Sequence, residues 1–277
     1  MHRLICAVGL CLCLPVRAAQ LVLELEDGVT RSWDSEQLLL HAELRMLDIP
    51  NDVAYRRSMS YKALPLAVLL NDVSPDVHLQ VEGLDGFSAE FTAAPLLARD
   101  GTSAWIAVED PSERWPQLPG KQGSAGPFYL VWIDADPQVI GPEQWPYQIT
   151  RIRLVPKVVE RFPTLRPADN ATPDVHKGFV QFQKHCLSCH RLNEGGDARI
   201  GPDLNLPHNP TEYFAGDFLR RYIRNPQSVR LWPESTMQGF GETVLNDRQL
   251  DDLIAYLRHM AGRKATTPLE LTRSDAR

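Results

Sequence analysis

Cys186-Leu187-Ser188-Cys189-His190, spelled C-x-x-C-H, is the stretch on which the reading of this chain turns. Two thiols three residues apart can each add across one vinyl group of a haem, and a histidine that follows at once can be held against the iron as an axial ligand. A disulfide between Cys186 and Cys189 leaves His190 without a role. A zinc site lacks a second Cys/His pair at finger spacing. One covalent haem c is therefore the expected cofactor.

The other three cysteines sit at the start of the chain. Cys6, Cys11 and Cys13 fall within residues 1–18, which read as a signal peptide. Arg3 supplies a positive start, residues 4–14 an apolar run, and Val16 and Ala18 the small residues before a cut after Ala18. That apolar run is shorter than the about 20 residues a membrane span needs. A lipid-attachment site wants a small residue before its cysteine, and Leu10 and Leu12 stand there instead. Export to the periplasm and a mature chain with no membrane span follow as expectations.

Charge divides the remainder. Residues 19–156 carry 20 acidic against 10 basic side chains, and residues 157–277 carry 15 against 17. An acidic front half speaks against nucleic acid as a partner and suits either a solvated surface or docking of a basic protein face.

Patterning divides the chain in the same place. Residues 20–26 alternate apolar and polar side chains, as a half-buried strand does. Residues 77–82, 105–109 and 128–133 are further strand candidates between Pro and Gly turns. Residues 35–41 and 64–70 read as short helices, capped by Ser35 and opened by Pro65. Residues 161–173 are polar and proline-punctuated, which suits an extended linker. Beyond them the period becomes helical over 174–185, 213–225 and 247–260. The expected organisation is residues 19–156 as an α+β domain, 157–173 as a linker, 174–264 as an all-α domain and 265–277 as a tail.

Residues 173–263 resemble a class I, single-haem cytochrome c. The likeness rests on a helix running into C-x-x-C-H, the turn Gly201-Pro202-Asp203-Leu204, a methionine 47 residues after His190 within Thr236-Met237-Gln238-Gly239-Phe240, and a last helix bearing Leu253, Tyr256 and Leu257. The resemblance implies thioethers at Cys186 and Cys189, His190 as proximal ligand, and Pro202 against its ring with a nearby carbonyl accepting from Nδ1–H. It implies Met237 as distal ligand, although Met237-Gln238-Gly239-Phe240 departs from the common Met-Pro-x-Phe. His208, His185 and Met260 are the rival ligands. Trp232 suits either a haem propionate or the core. Arg220, Arg221 and Arg224 suit either a propionate or a solvated face. Gly178 and Phe182 are expected where the first helix crosses Tyr256.

The front half resembles, in Met59-Ser60-Tyr61-Lys62-Ala63-Leu64-Pro65-Leu66, Leu84-Asp85-Gly86-Phe87 and Gly126-Pro127-Phe128-Tyr129-Leu130-Val131-Trp132, the sulfite-oxidase-type molybdopterin domain, a mixed α+β fold. That family holds molybdenum on a cysteine, and no cysteine lies between Ala19 and His185. A cofactor-free relative is expected. The aromatics Trp115, Trp132, Trp145 and Tyr147 suit a strand-rich core or a docking site, and Asp134 and Asp136 suit a turn. The expected function is electron transfer between a periplasmic dehydrogenase or other donor and a downstream oxidase or cytochrome, with the front domain docking the partner. The alternatives are a sulfite-dehydrogenase-like or peroxidase-like enzyme and a redox or ligand sensor.

Overall fold

The computed structural model describes residues 19–229 and 237–265. The expected signal cleavage, Trp232 and nearly all of the expected tail lie outside the described residues.

The front half holds two sheets. The strands are β1 (Gln20–Glu24), β2 (Thr30–Asp34), β3 (Arg45–Ile49), β4 (Met59–Pro65), β5 (His78–Gly83), β6 (Ser88–Thr92), β7 (Ser103–Val108), β8 (Phe128–Ile133) and β9 (Ile149–Val155). One sheet runs β2-β1-β9-β5-β6 and the other β3-β4-β7-β8. The first is mixed, because β1 pairs β9 in parallel and its other neighbours are antiparallel. Every residue of β7 is buried, and all but the last of β8. This is why 103–108 and 128–133 are near-continuous apolar runs while β1 alternates. Trp132 and Trp145 are buried with them and Trp115 packs against the same core, as a strand-rich core requires.

Short helices join the strands: α1 (Ser35–Leu39), α2 (Leu66–Leu69) and α3 (Ala93–Leu97). Two details differ from the sequence expectation. Asp34, not Ser35, caps α1, because its carboxylate accepts from Gln37 N while the Gln37 side chain accepts from Asp34 N. Leu64 and Pro65 belong to β4, so α2 starts two residues later.

Residues 157–173 are not an extended linker. They carry α4 (Val158–Arg161) and a 3₁₀ turn at Pro163–Leu165. Val158 and Leu165 are buried in the core of the helical half. The composition misled because the prolines open helical turns here.

The helical half is organised by α5 (Pro173–His185) and the last helix, α9 (Asp247–Ala261), which cross closely; between them lie α6 (Pro210–Tyr213), α7 (Phe218–Arg224) and α8 (Pro226–Val229). A Cβ on Gly178 would stand 1.9 Å from the Asp252 carbonyl oxygen, so only glycine permits the approach. Phe179 and Phe182 both lie 5.3 Å from the Tyr256 ring, centroid to centroid. The Tyr256 hydroxyl donates to Leu165 O at 2.8 Å, tying the supposed linker to the crossing. The expected helix at 213–225 is broken into α6 and α7, with Gly216 at φ +59° in the gap.

Hydrogen bonds join the halves. Ser88 N donates to Ser188 O, and Arg199 N donates to Gly86 O. Arg161 bridges Glu90 of β6 and Asp197 of the helical half, and Gln80 of β5 also donates to Asp197, at 2.7 Å. Arg161 and Glu90 are nearly buried, with side chains 12% and 7% exposed.

Candidate haem site

Helix α5 ends at His185 and delivers the chain into the Cys186–His190 turn, where Cys189 N and His190 N both donate to Cys186 O. The chain returns over this turn at Gly201, whose N–H donates to Cys189 O. A Cβ at Gly201 would lie 2.4 Å from His190 Nδ1, so the glycine backbone packs flat on the imidazole. His190 Nδ1–H donates to Pro202 O at 2.9 Å. Pro202 is thus the source of the expected carbonyl, and Gly201 also makes a close contact with the ring. The bond turns Nε2 away as a free lone pair and fixes the ring. Burial lowers the His190 pKa, opposed by that carbonyl and by Asp203. The favoured form is the neutral imidazole, which binds metals.

Cys186, Cys189, His190, Pro202 and Met237 line one cavity of about 1170 Å³. That exceeds the about 300–1,000 Å³ of ordinary small-molecule pockets. Leu204, Phe214, Leu219, Ile223, Leu253 and Leu257 give it an apolar wall. Burial raises the Cys186 thiol pKa, with Glu143 adding to the effect, and pushes Cys189 up to about 11. The two thiols thus sit as neutral groups at the edge of an apolar slot of haem size, and the residues fit that group.

Met237 is half-buried, packed against the helical core and on the cavity wall. The loop it belongs to is held from α7. Phe240 N donates to Ile223 O, and Arg224 donates to Phe240 O and Leu245 O. A Cβ on Gly239 would meet Arg224 O at 2.3 Å, which makes the glycine the close-approach point. Arg224 is therefore a brace for this loop, mostly buried and not among the residues that line the cavity. Arg220 pairs with Asp247 and Asp251 at the surface, and Arg221 lies over the Phe218 ring at 4.4 Å.

Two of the rival ligands lie away from the cavity lining. The His208 side chain is 74% exposed, with Glu212 4.0 Å away. Met260 is buried in the last turn of α9. His185 lines the cavity but its Nδ1 bonds Glu143 Oε2 at 3.0 Å.

Two features escaped the sequence reading. One is a ladder of buried asparagines. Asn205 Nδ2 donates to Asn193 Oδ1 and to Met260 O, and Asn209 Nδ2 to Asn205 Oδ1 and to Leu257 O. It adds side-chain donors to carbonyls in the last turns of α9, Leu257 O and Met260 O. The other is the front wall of the cavity. Phe87, Lys121, Glu143, Trp145 and Tyr147 all line it, although they belong to the β-rich half. The Trp132 indole N–H donates to Gln144 O at 2.7 Å and the Gln144 amide donates to Lys184 O at 3.1 Å, which pins the 141–145 turn between the halves. No sequence signal placed these residues beside the haem motif, which they meet only through tertiary contact.

Among the described residues, no group of three His, Cys, Asp or Glu side chains is arranged to hold a metal ion, and no helix is long and apolar enough to cross a membrane.

Fold and site together define a class: a helical haem-binding unit built against a β-rich one. The cytochrome c family model matches residues 175–261. A cytochrome c2 of Rhodoplanes tepidamans is 32% identical over 99 residues, covering 30% of this chain and 90% of that protein. The solved structure of the sulfane dehydrogenase SoxCD from Paracoccus pantotrophus is similar at 17% identity and a TM-score of 0.35, over 52% of this chain and 40% of that one. The chain belongs to the cytochrome c family through its helical half. Its cofactor is a covalently bound c-type haem and its chemistry is haem-based electron transfer.

Proposed function

We propose that the chain is an exported, periplasmic electron carrier with one haem, six-coordinate in both redox states. Cys186 and Cys189 would form the thioethers, and His190 Nε2 and Met237 Sδ would hold the iron. The observation that carries this is the sharing of one apolar cavity by the ring-fixed His190 and the braced Met237. Bound there, the haem supplies a one-electron ferric/ferrous couple, and thioether ligation favours the ferrous side. The protein's part is to keep that couple dry and rigid. Gly201 and Pro202 O fix the imidazole, Arg224 anchors the methionine loop by its carbonyls, and the apolar wall excludes water.

The remaining assignments belong to the same reading. Residues 1–18 are a signal cleaved after Ala18. Residues 19–156 are a cofactor-free domain of sulfite-oxidase type, and residues 174–264 are the haem domain. Electrons arrive from a periplasmic dehydrogenase or other donor and leave to a further acceptor, and the chain has no reaction of its own.

The deciding experiment is an optical spectrum of the purified protein, oxidised and reduced, with and without carbon monoxide. A low-spin spectrum with the far-red sulfur-to-iron band and no carbon monoxide response is expected. Met237→Ala removes that band. A band that survives in the variant, or stoichiometric molybdenum in the purified protein, overturns the reading.

A further inference from the structure

The front half is usually the part of such a chain that would be sought as a docking module. Here it faces inward. Its 141–147 turn and Lys121 stand on the wall of the same cavity that holds Cys186, Cys189 and His190. Glu143 is the one carboxylate of that turn, and its side chain is only 9% exposed. Its Oε2 accepts from His185 Nδ1–H at 3.0 Å across the junction of the halves. The His185 side chain is fully buried, and its Nε2 is buried with no hydrogen-bond partner among the described residues. The turn is crowded into place: a Cβ at Gly141 would lie 3.1 Å from Glu143 Oε2 and 3.2 Å from His185 Cε1. Lys184, next in the chain, is spent on Gln138 O at 2.6 Å.

A carboxylate placed this way costs desolvation, and the fold retains it. Structure alone does not require it, since an amide could accept the same hydrogen bond from His185. What an amide lacks is the charge. We propose that Glu143, oriented by His185, is a positioning residue through which the front half lowers the reduction potential of the haem. A buried negative charge beside the cofactor favours the ferric state, which carries one more positive charge than the ferrous state. Lys121 acts in the opposite sense and more weakly. It also lines the cavity, but it reaches the Tyr147 hydroxyl and lies 5.0 Å from that ring's centroid, where solvent screens it.

The inference rests on the haem reading above, and one titration separates their failures. The midpoint potential of the full-length holoprotein is measured for the parent, Glu143→Gln, Glu143→Asp and Lys121→Gln. Glu143→Gln shifts the reduction equilibrium about tenfold toward the ferrous form, ~59 mV for one electron. Glu143→Asp returns it toward the parent. Lys121→Gln shifts it the other way by less, and the shift shrinks with added salt. If Glu143→Gln leaves the potential unchanged or lowers it while the far-red band persists, this inference falls and the His190/Met237 reading stands. A parent that lacks the band and binds carbon monoxide sinks the ligation reading instead, whatever the charges do. Should Glu143→Gln not accumulate as holoprotein, Glu143→Ala decides: a potential no higher than the parent's overturns the proposal.

Discussion

The two walls of the haem cavity are built by different physics. The back wall, with Leu253 and Leu257 of α9, rests on apolar close packing behind it, where α5 and α9 meet so tightly that Gly178 touches the Asp252 carbonyl and two phenylalanines pack on Tyr256. The front wall is tied to the helical half by polar contacts, with Glu143 on His185, Gln144 on Lys184 O, and Arg161 between Glu90 and Asp197. Packing of the first kind decides whether the cavity exists. Contacts of the second kind decide what surrounds the cofactor once it is there, and they are separable by mutation.

The largest effect is expected from attacking the back wall. Gly178→Leu drives a side chain into the backbone of α9 and costs about 3 kcal/mol or more. Chemical denaturation and the yield of covalent haem should fall together, and a variant with parental values of both would refute the close-crossing argument. Next comes the seam. Arg161→Ala leaves Glu90 buried without its main partner, at a cost of about 3 kcal/mol. Its signature should be two separated unfolding transitions, with the haem signal lost in the later one. A single unshifted transition would mean the seam does not couple the halves. The smallest effect sharpens the edge of the back wall. His259 Nε2 accepts from Ala168 N at 3.1 Å, and burial, with Arg263 and His176 adding to it, holds the His259 pKa below its ordinary value. A folded pKa lowered in this way means that the unfolded chain binds the extra proton first. The bond's stability is therefore full above about pH 6.5 and is lost as pH falls through the lowered value. The melting temperature followed from pH 7.5 to 5 should decline less in His259→Gln than in the parent.

The same contrast explains what could be read from the sequence. Cys186, Cys189 and His190 announce themselves because covalent attachment of a haem demands fixed residue types at fixed spacings, and Gly201, Pro202 and Met237 come into view through the family resemblance that this motif opens. The helices α5 and α9 follow from a 3.6-residue period, and the strands β7 and β8 from unbroken apolar runs. Residues 161–173 misread because proline opens helical turns as readily as it interrupts them. Arg224 misread because the broken helix and the loop it braces are set by Gly216 and Gly239 in three dimensions. Glu143 was silent for a deeper reason. A single acid in a Gly-Pro turn has no pattern of its own, and its partner His185 lies 42 residues along the chain.

The bond from Ser88 N to Ser188 O joins the tip of a front-half strand to the middle of the C-x-x-C-H turn. Its consequence is temporal. A haem is a rigid disc, and both of its attachment thiols lie in a turn that the front half covers. Attachment is least obstructed while that turn is uncovered, so the order in which the haem arrives and the β-rich half docks becomes part of how the protein matures.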